Sequence, residues 1–88
     1  MEHICIPKHI AQTLPDMPKT KARVILAICE LATQQNPITR GKVQTMTGYG
    51  EQRVFNIFRD FVRAGYIAPN GKAVAVGVYA YELKPDGE

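Results

Sequence analysis

Long apolar runs are missing from this 88-residue chain, and so are the patterns that mark most enzymes and metal domains. No stretch approaches the roughly 18 apolar residues of a membrane span, and the opening MEHICIPKHI lacks the basic-then-apolar layout of a secretory signal. A cytoplasmic location and no membrane partner are therefore expected. Cysteine is scarce: Cys5 and Cys29 are two, where small secreted domains carry more and use them as a disulfide framework. Cys29 falls inside an apolar helical stretch and reads as a small core residue. No Ser-His-acid or Cys-His-acid set stands at a recognisable spacing, and no carboxylate pair is placed together, so no enzymatic activity is expected. His3, Cys5, His9 and Cys29 could in principle make four zinc ligands, but their spacing fits no common finger or ribbon. No metal and no other cofactor is expected. Internal repeats and a linker that would split the chain are absent as well.

What is present is ordinary globular composition, 45% hydrophobic and 22% charged, at a length suited to one small domain with a single core. The net charge of +3 is unevenly spread. From Arg40 to Arg63 five basic residues (Arg40, Lys42, Arg53, Arg59, Arg63) face two acidic ones (Glu51, Asp60), a mild electrostatic footprint for a polyanion. A solvated helix face explains the same cluster equally well.

Prolines 7, 15 and 18 interrupt any long element at the start, leaving HICI as a short strand and KHIAQTL as a helical turn or two. Residues 1–17 are accordingly read as an N-terminal arm, 18–84 as the folded domain and 85–88 as a polar tail. Pro18 suits the first turn of a helix over 18–34, in which Val24, Ile25, Ile28, Leu31 and Ala32 recur at spacings of three and four. Lys19, Lys21 and Arg23 crowd its start against the helix dipole, which points to a further use or to plain solubility. Asn36-Pro37 ends the helix, and Ile38 is briefly extended. Thr39 then caps a short helix ending at residue 47, with Val43 and Met46 facing inward. Gly48 stops it in the left-handed conformation, Gly50 caps a third helix over 51–64, and Gly65 ends that helix as Gly48 ended the second. Beyond it, Tyr66 and Ile67 open one strand and VYAYEL forms another; the connecting loop lies within residues 69–77, with Asn70-Gly71 and Gly77 as alternative turns.

On a wheel of about 100° per residue, Ile57, Phe58 and Phe61 lie within about 60° of Val54 and form a buried face. Gln52, Asn56, Arg59 and Arg63 fall within about 40° of the opposite direction, with Arg53 and Phe55 on the flanks of that ridge. The expected core therefore includes Ile25, Ile28, Met46, Val54, Ile57, Phe58 and Phe61.

Gly48 and Gly50 do not make a nucleotide site. A dinucleotide fingerprint needs a preceding strand and a third glycine, but a helix precedes these two and Arg53 stands in the third place. The phosphate loop of nucleotide hydrolases fails too, because Gly41-Lys42 is followed by Val43. The pair is the turn between two helices. ITRGKVQTMTGYGEQRVFNIFRDFVRAGYI, residues 38–67, resembles the heart of a bacterial or phage winged helix-turn-helix DNA-binding domain, and PKTKARVILAICEL resembles the first helix of that family. The resemblance covers residues 18–84 and implies an α+β, mainly helical fold: a three-helix core with a C-terminal β-hairpin wing.

It also implies sequence-specific binding of double-stranded DNA, as a small transcriptional regulator, with helix 51–64 in the major groove. Gln52, Arg53, Phe55 and Asn56 would then meet base edges, since Gln and Asn pair with adenine, Arg with guanine, and an aromatic group can touch a thymine methyl. Arg40, Lys42, Arg59, Arg63 and Lys72 would contact phosphates. A homodimer on a roughly palindromic site is expected, because one recognition helix reads only a few base pairs. Two departures from the family stand out: Gly50 offers no capping side chain, and APNGKAVAVG carries Lys72 alone where several cations are usual. An apolar wing, or the arm over residues 1–17, suits contact with a second copy or another protein, and the alternative reading is a protein-binding winged-helix module, of the kind phage or plasmid proteins dock on host machinery.

Overall fold

The computed structural model describes residues 6–84 and has an α+β architecture, four helices followed by a two-stranded antiparallel hairpin. Pro7 precedes the first helix, α1 (Lys8–Thr13), and a single 3-10 turn at Leu14–Asp16 takes the chain to Pro18. The expected strand HICI falls, except for Ile6, outside the described residues, as does the expected tail 85–88. Pro18 is the N-cap of α2 (Lys19–Thr33), one position earlier than a first-turn proline. No helix among the described residues is long and apolar enough to cross a membrane.

α2 ends four residues before Pro37, and its own backbone explains why. Gln35 N–H donates to Ala32 C=O at 3.0 Å and Asn36 N–H donates to Leu31 C=O at 2.9 Å, the paired bonds of a Schellman motif. Gln35 takes the left-handed position, with φ of 60°, that glycine holds in most such ends. Ile38 is extended and pairs with Tyr81, whose N–H donates to its carbonyl at 2.8 Å. Thr39 caps α3 (Arg40–Thr47), its hydroxyl accepting from Lys42 N–H at 3.2 Å. α4 (Glu51–Ala64) ends in a second Schellman motif, with Gly65 at φ of 84° in the left-handed place.

β1 (Ile67–Ala75) and β2 (Val78–Leu83) pair from Ile67 opposite Leu83 to Ala75 opposite Val78. Of the alternative turns, Val76-Gly77 is the one that reverses the chain. Asn70 and Gly71 instead belong to an irregularity in β1, where residues 70–72 stand opposite the single Ala80. The Asn70 side chain accepts from Lys72 N–H at 2.9 Å, closing a local turn without ending the strand.

The core gathers Val24, Ile25, Ile28, Cys29 and Leu31 of α2, Val43 of α3, Val54, Ile57, Phe58 and Phe61 of α4, and Ile67 of β1. Tyr81 of β2 meets Phe58 edge-on at 5.0 Å, tying the hairpin base to α4. Burial pushes the Cys29 thiol up to about 11, so it stays protonated and chemically quiet. Met46 departs from expectation: it is 38% exposed. α3 is only eight residues long and sinks Val43 alone into the core. Met46 lies further round the helix, at the rim where α3 meets α2, beside Arg23, Leu26 and Thr47.

The segment before residue 18 belongs to the same core. Ile10 of α1 is fully buried in it, Ile6, Leu14 and Met17 pack against it, and the hydroxyls of Thr13 and Tyr66 lie 3.0 Å apart. Ile10→Ala should therefore destabilise the chain by about 2–5 kcal/mol, the range for deleting a buried aliphatic side chain, as read from urea unfolding. An unchanged unfolding midpoint would mean that α1 does not hold the domain together.

Candidate functional site

Burying Val54, Ile57, Phe58 and Phe61 turns the other side of α4 outward. Gln52, Arg53, Arg59 and Arg63 are exposed along it and Asn56 is half-buried. Gln52 Nε2 donates to Asn56 Oδ1 at 3.2 Å, one helical turn apart, so the two amides orient one another. Each keeps a free acceptor lone pair and a free N–H after that bond, enough for the two-point contact an adenine edge requires. Arg59 and Arg63 form no ion pair with another described residue. The ridge is thus two amides toward the N-terminus of α4 and two exposed cations toward its end.

α3 runs into α4 through Gly48, Tyr49 and Gly50. Gly48 has φ of 77°, left-handed backbone that an L side chain adopts only at a cost. Gly50 has φ of −72° and ψ of 162°, an ordinary extended N-cap, and a side chain there would meet open space. One glycine makes the turn, and the other leaves the α4 N-cap bare.

Several expected site residues are drawn into pairs. The Arg40 guanidinium, from the first residue of α3, lies 4.9 Å from the centre of the Phe55 ring on α4, covering part of an aromatic that remains 42% exposed. The Arg53 guanidinium lies 5.3 Å from the centre of the Tyr49 ring, and Arg23 of α2 lies 6.0 Å from that same centre. Lys42 is exposed on the first turn of α3. Lys72 is not brought to this cluster: it lines a separate groove of about 520 Å³ with Ile38, Val74 and Leu83.

Between α3, the start of α4 and the hairpin runs a second groove, of about 580 Å³, lined by Arg40, Gln44, Glu51 and, from the hairpin, Pro69, Tyr79 and Tyr81. The hairpin beyond its base is apolar and open to solvent: Val74, Val78 and Tyr79 are exposed, and Val76 at the turn is completely so. Of the four residues weighed as zinc ligands, Cys29 is in the core, His9 lies against the Tyr66 ring, and His3 and Cys5 are outside the described residues.

Lys21, Arg23 and Tyr49 went unassigned in the sequence. Lys21 Nζ lies 3.1 Å from Asp60 Oδ2, so a cation at the start of α2 ties that helix to α4. Tyr49 precedes Arg53 by four residues, a spacing that hints at contact once the intervening chain is helical. Nothing local links either of them to Arg23.

The two glycines should respond differently to substitution. Gly48→Ala is expected to cost about 1–2 kcal/mol in urea unfolding, the penalty for a left-handed non-glycine residue. Gly50→Ser, which adds a capping hydroxyl, should be neutral or stabilise by a few tenths of a kcal/mol. Equal losses at both positions would contradict this division. No protein-family model, curated protein or solved structure matches this chain.

Proposed function

We propose that the chain is a winged helix-turn-helix domain that binds duplex DNA sequence-specifically and serves as a small transcriptional regulator, with α4 in the major groove. One observation carries the proposal. The outward ridge of α4 presents two mutually oriented amides followed by two arginines with no ion-pair partner among the described residues, on a helix whose other face is locked in the core. Amides of this kind read base edges, and cations of this kind hold phosphates. Gln52 and Asn56 act on adenine-containing steps. Arg59, Arg63, Arg40 and Lys42 fix the register of the helix along the backbone. Phe55, half-covered by Arg40, offers its exposed rim to a thymine methyl.

Selection from a random duplex library followed by binding at several salt concentrations tests this reading. Gln52→Ala or Asn56→Ala should relax preference at particular base positions, by about 1–3 kcal/mol for each amide–base pairing removed. The two effects should be less than additive, because each amide orients the other. Arg40→Ala, Lys42→Ala or Arg59→Ala should instead weaken binding to every sequence and flatten the salt slope by about one unit each. A selected pool without an enriched sequence, together with an Arg59→Ala chain that binds as the parent does, would falsify the proposal.

The exposed apolar hairpin favours a second reading, in which the domain docks on protein. A monomer that binds duplex DNA without steep salt dependence would favour it. On the DNA reading the same surface serves a homodimer, Val74, Val76 and Val78 packing against a second copy so that two α4 helices meet a palindromic site. Sedimentation on a selected duplex should then show two chains per site, and Val76→Asp should reduce this to one. Sedimentation as a monomer both free and on DNA would remove the dimer.

A further inference from the structure

Tyr49 stands in the three-residue link between α3 and α4 and packs against the core with its ring half-buried. Two guanidinium groups meet at that ring: Arg53 from the first turn of α4, at 5.3 Å, and Arg23 from the second turn of α2, at 6.0 Å. They carry like charge, both side chains are exposed, and neither is ion-paired with another described residue. The acid adjoining this link, Glu51, lines the hairpin groove with Arg40 and Gln44. Both cations are thus tied to one aromatic ring, and among the described residues neither is ion-paired with an acid, although Glu30 lines a groove with Arg23.

We propose that Arg23, Tyr49 and Arg53 form a phosphate clamp that grips one phosphodiester of a DNA duplex; the proposal rests on the DNA reading above. A guanidinium stacked on a ring spends its flat face on that contact and keeps its in-plane N–H groups free to donate. Those N–H groups form the planar fork that matches phosphate oxygens two at a time. With two such forks at one ring, a single anion can meet both charges. The clamp sits at the N-terminal end of α4, beside Gln52, so a phosphate held in it sets how the base-reading end of the helix approaches the groove. Arg53 thereby acts on the backbone instead of on a base, and Arg23, at the wrong end of α2 for the helix dipole, acquires its use.

The test measures affinity for a short mixed-sequence duplex between about 50 and 200 mM salt, with Arg59→Ala as the reference for an ordinary phosphate contact. Arg23→Ala and Arg53→Ala should each weaken binding about tenfold, the size of one charged hydrogen bond removed, and flatten the salt slope by about one unit. The double variant should lose little more than either single variant, because both side chains hold the same phosphate. Tyr49→Leu keeps both charges and should still weaken binding. Arg23→Lys leaves the packing nearly untouched and should recover only part of the Arg23→Ala loss, which guards against an effect on folding. If Arg59→Ala flattens the slope while Arg23→Ala binds as the parent does, the clamp is overturned and the DNA reading stands. Additive losses in the double variant would replace the clamp by two separate phosphate contacts and overturn it. A parent chain with no salt-dependent affinity for duplex overturns both. The Nε–H resonances of Arg23 and Arg53 should move with duplex and not with inorganic phosphate at equal phosphate concentration; an equal response to both would make this a free-anion site and overturn the assignment to DNA.

Discussion

Val54, Ile57, Phe58 and Phe61 lie along one side of α4, and their burial sets the rotation of that helix about its axis. Fully burying one such side chain contributes about 1.5–3 kcal/mol, so the four together contribute roughly as much as the whole stability of a small domain. Turning α4 by even one residue position would expose part of that set. The outward ridge is held rigidly as a consequence: Gln52, Asn56, Arg59 and Arg63 face solvent because their opposite neighbours cannot. Phe58 also carries Tyr81 of the hairpin, so the same helix face orients the strands.

Among the described residues, arginine charge is arranged around aromatic rings more than around acids. Lys19, Lys21 and Arg23 open α2, and Arg40 and Lys42 open α3, each against a helix dipole that disfavours a cation there by about 0.3–1 kcal/mol. Three of the five have an interaction of comparable size with another described residue to offset this. Lys21 meets Asp60, and Arg23 and Arg40 lie over Tyr49 and Phe55. A cation over a ring at an exposed site contributes about 0.5–1 kcal/mol and keeps its charge available to a partner, which a salt bridge does not. The arrangement favours a surface that keeps positive charge at fixed positions.

The hairpin follows a different logic. Its base is anchored through Ile67, Ala80 and Tyr81, and the Tyr81–Ile38 hydrogen bond adds a short third pairing at the edge of β2. Its outer part has no core beneath it. Val74, Val76 and Val78 are suited by β-propensity to an extended strand, yet all three are exposed and Val76 is uncovered by any described part of the chain. Pro69 and the irregularity over residues 70–72 interrupt the free edge of β1, a common way of keeping an exposed strand from pairing along its whole length.

Features governed by neighbours in the chain were legible in the residue order. Thr39, Gly48, Gly50 and Gly65 mark helix ends because capping and left-handed backbone depend on a few adjacent residues, and the helix bounds fell within a residue of those expected. The buried and outward faces of α4 followed from its period alone. Features that depend on groups distant in sequence were not legible. Whether Asn70-Gly71 or Gly77 reverses the chain depends on register against β2, where Ala80 faces three residues of β1. The burial of Ile10, within the segment read as an N-terminal arm, was not legible, since proline-broken segments give no period long enough to show a buried side. Met46 looked inward because a helical spacing says which side a residue is on, not whether another helix reaches it. The pairings of Arg23 with Tyr49 and of Arg40 with Phe55 arise only when α2, α3 and α4 are packed together, for cation and ring come from elements that the sequence orders but does not orient.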